Sequence, residues 1–129
     1  MINVNMEAMA VSTKSQLDFP PIHVESIWNI NVNGTTGTLT ITSVTSNNIV
    51  LGIMELTNQR PNPIEGAYDN VSQKLIFFRI INPSNPTTNQ IFTGFLMGSS
   101  NNAIAGYFEA LPNAGGSVQR SIFGWYGVG

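Results

Sequence analysis

The sequence predicts an all-β domain that folds as an eight-stranded antiparallel up-and-down (meander) β-barrel. Runs rich in β-branched and aromatic residues recur about every 10–15 residues, between clusters of Asn, Gly, Pro and Ser, and helical periodicity is nearly absent. The connections between these runs are short, so consecutive strands should pair antiparallel. Eight strands are enough for such a meander to close on itself, which removes both exposed sheet edges.

The strands follow, in order, from the β-rich runs and the turn residues between them. Asn33-Gly34 tolerates positive φ and predicts a hairpin turn, and Asn70–Gln73 predicts another hairpin connection. Thr38–Val44 alternates between apolar side chains on one face and polar side chains on the other. The eight predicted strands are Ser26–Val32, Thr38–Val44, Ile49–Leu56, Ile64–Asp69, Lys74–Ile81, Gln90–Met97, Ala103–Leu111 and Val118–Val128.

Proline positions and chain ends set the predicted domain organisation. Pro61 and Pro63 lack backbone donors and argue against a central strand around them. Residues 1–22 fit no strand pattern and are predicted to form an N-terminal arm, and residues 23–129 form a single barrel domain. The alternative architecture is a two-sheet sandwich, which would need longer crossovers than this chain offers.

Composition excludes several classes of function. Only 9% of the 129 residues are charged, against roughly 25% in an average domain, and the net charge of −2 offers no footprint for nucleic acid. The absence of Cys excludes disulfides and thiolate chemistry, and the single His excludes a His-based metal cluster. No nucleophile elbow, phosphate loop or metal motif is present. We therefore expect no enzyme, no cofactor and no metal.

The surface must be polar without being charged, and Asn, Ser and Thr supply that polarity. Because such surfaces repel one another weakly, we expect a homo-oligomer, either a dimer or a tetramer. The alternative is a neutral secreted or lumenal protein whose surface amides only keep it solvated. No apolar run approaches the ~20 residues of a membrane span. The N-terminus lacks a signal-peptide pattern, so we expect a cytoplasmic protein or one secreted by a non-standard route.

Arg79 lies within Leu75–Ile81, the most apolar stretch of the chain, and a buried guanidinium needs a partner. If the preceding turn is centred near Ser72, Glu65 lies opposite Arg79, and a bidentate pair forms inside or at the mouth of the barrel. Alternatively, Arg79 anchors an anionic or carbonyl-bearing ligand, or it faces solvent on the outer wall.

Other candidate residues carry weaker signals. His23 precedes the first strand and is expected to be a surface or packing residue, and the sequons at Asn33 and Asn70 are interpreted as turns. The aromatic segment Phe123–Gly127 is expected to close the barrel against the first strand or to cover a subunit interface. No spacing selects a glycosidase-like pair among the strand carboxylates, which are Glu55, Glu65, Asp69 and Glu109.

Three short motifs resemble the avidin/streptavidin family. Ser26–Asn29, followed by Asn33-Gly34 and the alternating Gly37–Ile41, resembles the family's opening hairpin. Ile64–Asp69 resembles its fourth strand, and Phe92–Phe95 resembles its sixth. The resemblance spans residues 26–128 and implies an eight-stranded up-and-down barrel, often tetrameric, with a ligand pocket at one open end.

Carried over residue by residue, the resemblance leaves most of the family's biotin site unmatched. Met54 stands where the family has a tyrosine for the ureido oxygen, and Tyr126 stands near the position of its ureido-binding aspartate. In the first hairpin, Asn31 or Asn33 matches the family's asparagine, and Thr35 or Thr36 matches its hydroxyl residue. The family's three strand tryptophans fall at Arg79 or Ile80 on the fifth strand, at Phe92 on the sixth, and at Tyr107 or Phe108 on the seventh. Losing these polar partners disfavours tight biotin binding.

The sequence therefore predicts a non-enzymatic binding protein whose ligand, at the open end of the barrel, is a small amphipathic molecule or a glycan and not biotin. The predicted lining is Asn31, Asn33, Thr35, Met54, Arg79, Phe92, Tyr107 and Phe108. The alternative is a structural, self-assembling oligomer with a filled barrel, such as a bacterial defence or toxin component.

Overall fold

The computed structural model describes residues 22–98, 100–111 and 121–129. The described residues form eight strands and one 3₁₀ turn at Pro86–Thr88, with no α-helix among them. No helix in this part of the chain is long and apolar enough to cross a membrane. The strands are β1 Ile27–Val32, β2 Thr35–Val44, β3 Ile49–Leu56, β4 Asn62–Asp69, β5 Lys74–Arg79, β6 Gln90–Met97, β7 Ala103–Ala110 and β8 Ser121–Val128.

Each strand pairs antiparallel with its sequence neighbours, and β8 pairs with β1, so the sheet closes into a barrel. The closing ladder runs from Asn29 opposite Val128 to Val32 opposite Trp125. The predicted eight-stranded meander barrel is therefore confirmed. Of the two roles expected for the aromatic C-terminal segment, the structure shows the first, closure against β1. Of the predicted arm only Ile22 is described, and it is buried in the core. Residues 118–120 of the last predicted strand lie outside the described residues.

The two predicted hairpin turns connect their strands as expected. Asn33 and Gly34 both have positive φ, 49° and 98°, which a two-residue hairpin of this twist requires. The second turn contains four residues, Asn70–Gln73, so Asp69 faces Lys74 across the hairpin. An even number of loop residues shifts the pairing by one position from a turn centred on Ser72.

This register makes the predicted ion pair between Glu65 and Arg79 wrong. Arg79 lies opposite Ile64, while Glu65 lies opposite Phe78. Since adjacent residues of a strand point to opposite faces, Arg79 points into the barrel and Glu65 points out of it. The two side chains are therefore separated by the barrel wall.

The prediction that Pro63 lies outside a central strand is also wrong, because Pro63 belongs to β4 and faces Ile53 of β3. Its carbonyl oxygen accepts from the backbone N–H of Ile80 at 3.0 Å. A strand residue directs its nitrogen and its carbonyl to the same side, so the nitrogen of Pro63 faces the place where β5 ends at Arg79. The missing N–H of Pro63 therefore lies beyond the last residue of β5, where the pairing between β4 and β5 needs no donor.

Inward-facing side chains from all eight strands fill the middle of the barrel. Among the described residues, the largest fully buried ones are Phe77, Phe92, Leu39, Ile41, Met54, Ile64, Leu75, Ile104 and Val50. Trp125 crosses the interior and donates its indole N–H to the carbonyl oxygen of Thr93 at 3.0 Å. Gly94 makes room for it, since a Cβ there would lie 2.6 Å from the indole ring. The middle of the barrel is therefore a packed core, like that of a small closed barrel.

Candidate binding site at one end of the barrel

The end of the barrel where β5 finishes carries a buried cation held by neutral amides. Arg79 is only 5% exposed, and each of its side-chain nitrogens donates one hydrogen bond of 3.0 Å. Nε donates to Asn62 Oδ1, Nη1 to Gln90 Oε1, and Nη2 to Gln59 Oε1. We call these four residues the Arg79 cluster.

The cluster forms because strand ends and one loop meet here. Alternation along β5 points Leu75, Phe77 and Arg79 inward, so the last inward position of an apolar strand carries the charge. Asn62 begins β4 and Gln90 begins β6, and both strands start at the end where β5 finishes. Gln59 reaches the guanidinium from the segment that joins β3 to β4.

The electrostatics of the cluster are unusual for a buried arginine. Its hydrogen-bond acceptors are three uncharged amide oxygens, and no carboxylate in the described part of the chain lies within ion-pair distance of the guanidinium. Burial lowers the pKa of Arg79 below its ordinary value, since no nearby negative charge compensates the lost hydration. The guanidinium nevertheless stays protonated, because its ordinary pKa lies far above neutrality.

An aromatic row lies one inward position below the polar end. It consists of Phe77, Phe92, Phe108 and Phe123, which occupy neighbouring positions on β5 to β8. The ring centroids are 4.9 Å apart between Phe77 and Phe92, 4.7 Å between Phe92 and Phe108, and 5.2 Å between Phe108 and Phe123. Phe77 and Phe92 are fully buried, whereas Phe123 is 37% exposed. The row thus runs from the core to a solvent-facing ring.

The predicted lining residues divide into inward and outward groups. Four of the inward ones are buried in the barrel: Met54 and Phe92 are fully enclosed, while Arg79 and Phe108 lie at the polar end of the core. Thr35 begins β2, faces inward beside Val32 and is half-buried. These residues share one interior, but a ligand at the end of the barrel would not reach Met54 or Phe92 without opening the core.

The other predicted lining residues lie elsewhere. Tyr107 is 40% exposed and points out of the barrel wall. Asn33 is exposed in the β1–β2 turn, and Asn31 lies on the outer face, where its side-chain oxygen accepts from the Gly34 N–H at 2.7 Å. Asn31 therefore stabilises the hairpin turn, and neither it nor Tyr107 faces the interior.

The candidate residues for acid–base or metal chemistry are also dispersed. Glu55, Glu65, Asp69 and Glu109 occupy outward positions on three strands. His23 lies before β1, where its Nδ1 is 2.9 Å from the Val24 carbonyl oxygen. Within the described ranges, no group of three acidic, His or Cys residues could hold a metal ion.

Sequence reasoning missed the three amide partners of Arg79. Gln59 and Asn62 fall in the segment around Pro61 that was predicted to lie outside the sheet, and Gln90 begins a predicted strand without any further mark. The signal available was Arg79 itself, because a buried guanidinium requires hydrogen-bond acceptors. Only the register identifies which acceptors they are.

Comparison with solved structures identifies the architecture. A low-affinity mutant of shwanavidin superposes with a TM-score of 0.59 at 15% sequence identity, over 83% of this chain and 96% of that chain. The barrel has the avidin-like fold. At this identity the likeness concerns the fold alone, and it confirms the resemblance stated from the sequence at that level. No protein-family model matches the chain, and no curated protein matches it significantly.

In the avidin-like barrel described here, the two ends differ in character. At the end opposite the Arg79 cluster, Trp28 and Ile22 are each 3% exposed, so the apolar core continues to that end of the barrel. Gly129 lies against the Trp28 ring, since a Cβ on it would be 3.4 Å from the indole. The end with the Arg79 cluster therefore combines buried charge, amides and an accessible aromatic ring, whereas the other end is closed by apolar side chains.

Proposed function

We propose that this protein is a non-enzymatic binding protein that takes a small amphipathic molecule or a glycan at the Arg79 end of its avidin-like barrel. The observation that carries this proposal is that buried polar donors and a partly exposed aromatic ring lie at the same end of the barrel. The Arg79 cluster supplies orienting hydrogen bonds, and Phe123 offers a partly exposed aromatic surface one inward position below it. Binding sites commonly pair a few fixed polar groups with apolar walls in this way.

The packed core limits how deeply a ligand enters. Met54, Phe77 and Phe92 are fully buried, so a ligand would sit over the aromatic row and not beneath it. Biotin is not the ligand we propose, because Met54 has no donor for a ureido oxygen and Tyr126 points out of the barrel. A ligand seated near the mouth contacts fewer side chains than a fully enclosed one, which favours modest affinity.

A thermal-shift screen of biotin analogues, sugars and amphipathic small molecules tests the proposal. A ligand present at about 100 times its dissociation constant stabilises the folded protein by about 2.7 kcal/mol. Binding at the proposed end should be weakened in a Phe123→Ala variant and unchanged in a Phe95→Ala variant, since Phe95 is similarly exposed but lies on the outer wall. Hits whose binding is unaffected by Phe123→Ala, or the absence of any hit, would contradict the proposal.

A second candidate function is self-assembly, which the outer wall favours. Apolar side chains that point outward from strands are 39–63% exposed, and a monomer rarely exposes so many. A groove of about 650 Å³ crosses the outer faces of β1, β2, β7 and β8, with Tyr126 and Val128 among its lining residues. The outward apolar residues are Ile27, Ile49, Leu51, Ile53, Ile76, Phe78, Phe95, Met97, Ile122, Tyr126 and Val128.

Light scattering over a wide concentration range separates this candidate from the first. A dimer or tetramer that dissociates in a Tyr126→Ser variant would support assembly through the outer wall. A monomer at the highest concentration would exclude assembly. It would not affect the ligand-binding proposal, because the proposed ligand contacts inward-facing residues at the Arg79 end and not the outer wall on which Tyr126 lies.

A further inference from the structure

The Arg79 cluster presents hydrogen-bond donors and no free charged acceptor. A guanidinium has five N–H groups and no acceptor, so the atoms of Asn62, Gln90 and Gln59 that face it must be amide oxygens. Each amide then directs its NH₂ group away from Arg79. The whole cluster therefore offers N–H groups to anything that approaches it.

The donor count leaves room for one more partner. Three of the five N–H groups of Arg79 have acceptors, which leaves one on Nη1 and one on Nη2. Two such N–H groups match the pair of oxygens that a carboxylate offers to an arginine. Gln59 is exposed, so its amide can turn towards solvent, and the carboxylate of a ligand would then replace it as the acceptor for Nη2.

The sequence around this end of the barrel gives independent support. The fully described segments that join strands here are residues 33–34, 57–61 and 80–89, and none contains Asp or Glu. The second of them contains Arg60, which is exposed. Glu55 and Glu109 also lie at this end, near the ends of β3 and β7, but their positions are on the outer face of the barrel wall. The described carboxylates at this end therefore face away from the interior in which the Arg79 guanidinium lies.

The aromatic row supplies the second half of the recognition. Gln90 lies beside Ala110, which lies beside Ser121, and the next inward residues on these three strands are Phe92, Phe108 and Phe123. Phe123 is the ring of this row that solvent reaches most. An anion bound to Arg79 would therefore lie above the aromatic row, whose most exposed ring, Phe123, is three strands away from Arg79 around the barrel.

We propose that the ligand of this end is an organic carboxylate with an apolar body, whose carboxylate accepts from Arg79 and whose body packs on Phe123 and Phe108. This inference rests on the proposed binding function and narrows its ligand to an acid. The carboxylate provides the buried guanidinium with the counter-charge that the described protein residues do not. A neutral ligand of the same shape lacks this charge-assisted hydrogen bonding to Arg79.

Calorimetric titration of the full chain with 4-phenylbutyrate tests the inference, with 4-phenylbutyramide as the neutral match and inorganic phosphate as an anion without an apolar body. We expect one site for the carboxylate, and binding of the amide and of phosphate weaker by about tenfold or more. Arg79→Met should abolish the preference for the acid. Arg60→Met, a matched loss of an exposed arginine at the same end, should change the affinity by less than about threefold.

A measurement on the unmodified chain covers the case in which Arg79→Met does not fold. Adding 4-phenylbutyrate should shift the Nη1–H and Nη2–H resonances of Arg79 in NMR spectra, and 4-phenylbutyramide should not. Equal binding of acid and amide, equal binding of phosphate, or equal loss in Arg60→Met and Arg79→Met would each overturn the inference. Neutral compounds that bind at Phe123 while the acids do not would overturn it and leave the proposed function standing. No binding by these compounds, together with no hit in the thermal-shift screen, would overturn both.

Discussion

Replacing Arg79 with Met tests the physical account of the polar end most directly. The substitution removes a buried cation and leaves its three acceptors without donors. Gln59 is exposed and Gln90 is half-buried, so water can replace the lost bonds at both. Asn62 is only 8% exposed, and its oxygen would be left without a donor in the core. One unsatisfied buried acceptor costs about 1–3 kcal/mol.

The expected loss of unfolding free energy for Arg79→Met is therefore about 1–3 kcal/mol, governed by Asn62. Breaking a buried ion pair would cost more, about 3–5 kcal/mol, because it strands an opposite charge. The double variant Arg79→Met/Asn62→Leu removes donor and acceptor together and should recover most of the loss. Asn62→Leu alone should cost about 1.5–3 kcal/mol, since it leaves the charged Nε–H without an acceptor.

Equilibrium urea unfolding followed by tryptophan fluorescence measures these differences, because Trp28 and Trp125 are both buried in the folded protein. Arg60→Met is the matched control: it removes an exposed arginine at the same end and should stay within about 0.5 kcal/mol of the parent. A loss of 3–5 kcal/mol for Arg79→Met that Asn62→Leu does not recover would refute the reasoning, since it would require a buried carboxylate partner.

Three further predictions concern packing, close approach and pH. Phe92→Ala should lower the unfolding free energy by about 3–5 kcal/mol in urea, because Phe92 is fully buried between two stacked rings. Gly66→Ala should cost about 3 kcal/mol or more, or prevent folding, because the added methyl group would meet the backbone of β5, which cannot step aside. A backbone N–H and then the Ser72 hydroxyl donate to Asp69 and lower its pKa, so an NMR titration should find its midpoint below that of an ordinary aspartate. The stability from this lowered pKa is present above the ordinary pKa and lost as pH falls through the folded one.

Each of these predictions has a control in the same sheet. Phe95→Ala removes a 42% exposed ring from the outer face of the same strand as Phe92, and in a monomer it should cost less than about 1 kcal/mol. Gly124→Ala meets no atom closer than 3.9 Å and should be tolerated. Ser72→Ala should raise the Asp69 midpoint towards its ordinary value. Equal losses within either of the first two pairs, or an unmoved midpoint, would contradict the assigned contacts.

Local sequence signals predicted most of the fold. Asn33-Gly34 specifies a tight hairpin because both positions need positive φ. Polar–apolar alternation predicted a strand over Thr38–Val44, and the strand in the structure begins three residues earlier, at Thr35. The prediction that Pro63 lies outside a central strand was wrong, because the cost of its missing N–H depends on where the neighbouring strand ends. The candidate site was predicted less well, because outward Tyr107 and inward Phe108 differ by one position, and sequence alone does not assign the face.

The sequence by itself determined how many strands there are, their order and their meander, because turn chemistry and period-two patterning act over only a few residues. The tertiary structure decided which face each strand turns inward, and that β1 lies beside β8 although they stand at opposite ends of the barrel sequence. It also decided the partners of Arg79. A four-residue turn turned Glu65 outward, and three strand ends and a loop brought amides to the guanidinium from residues 59, 62 and 90. Such contacts depend on register and closure, which arise only when the whole sheet pairs.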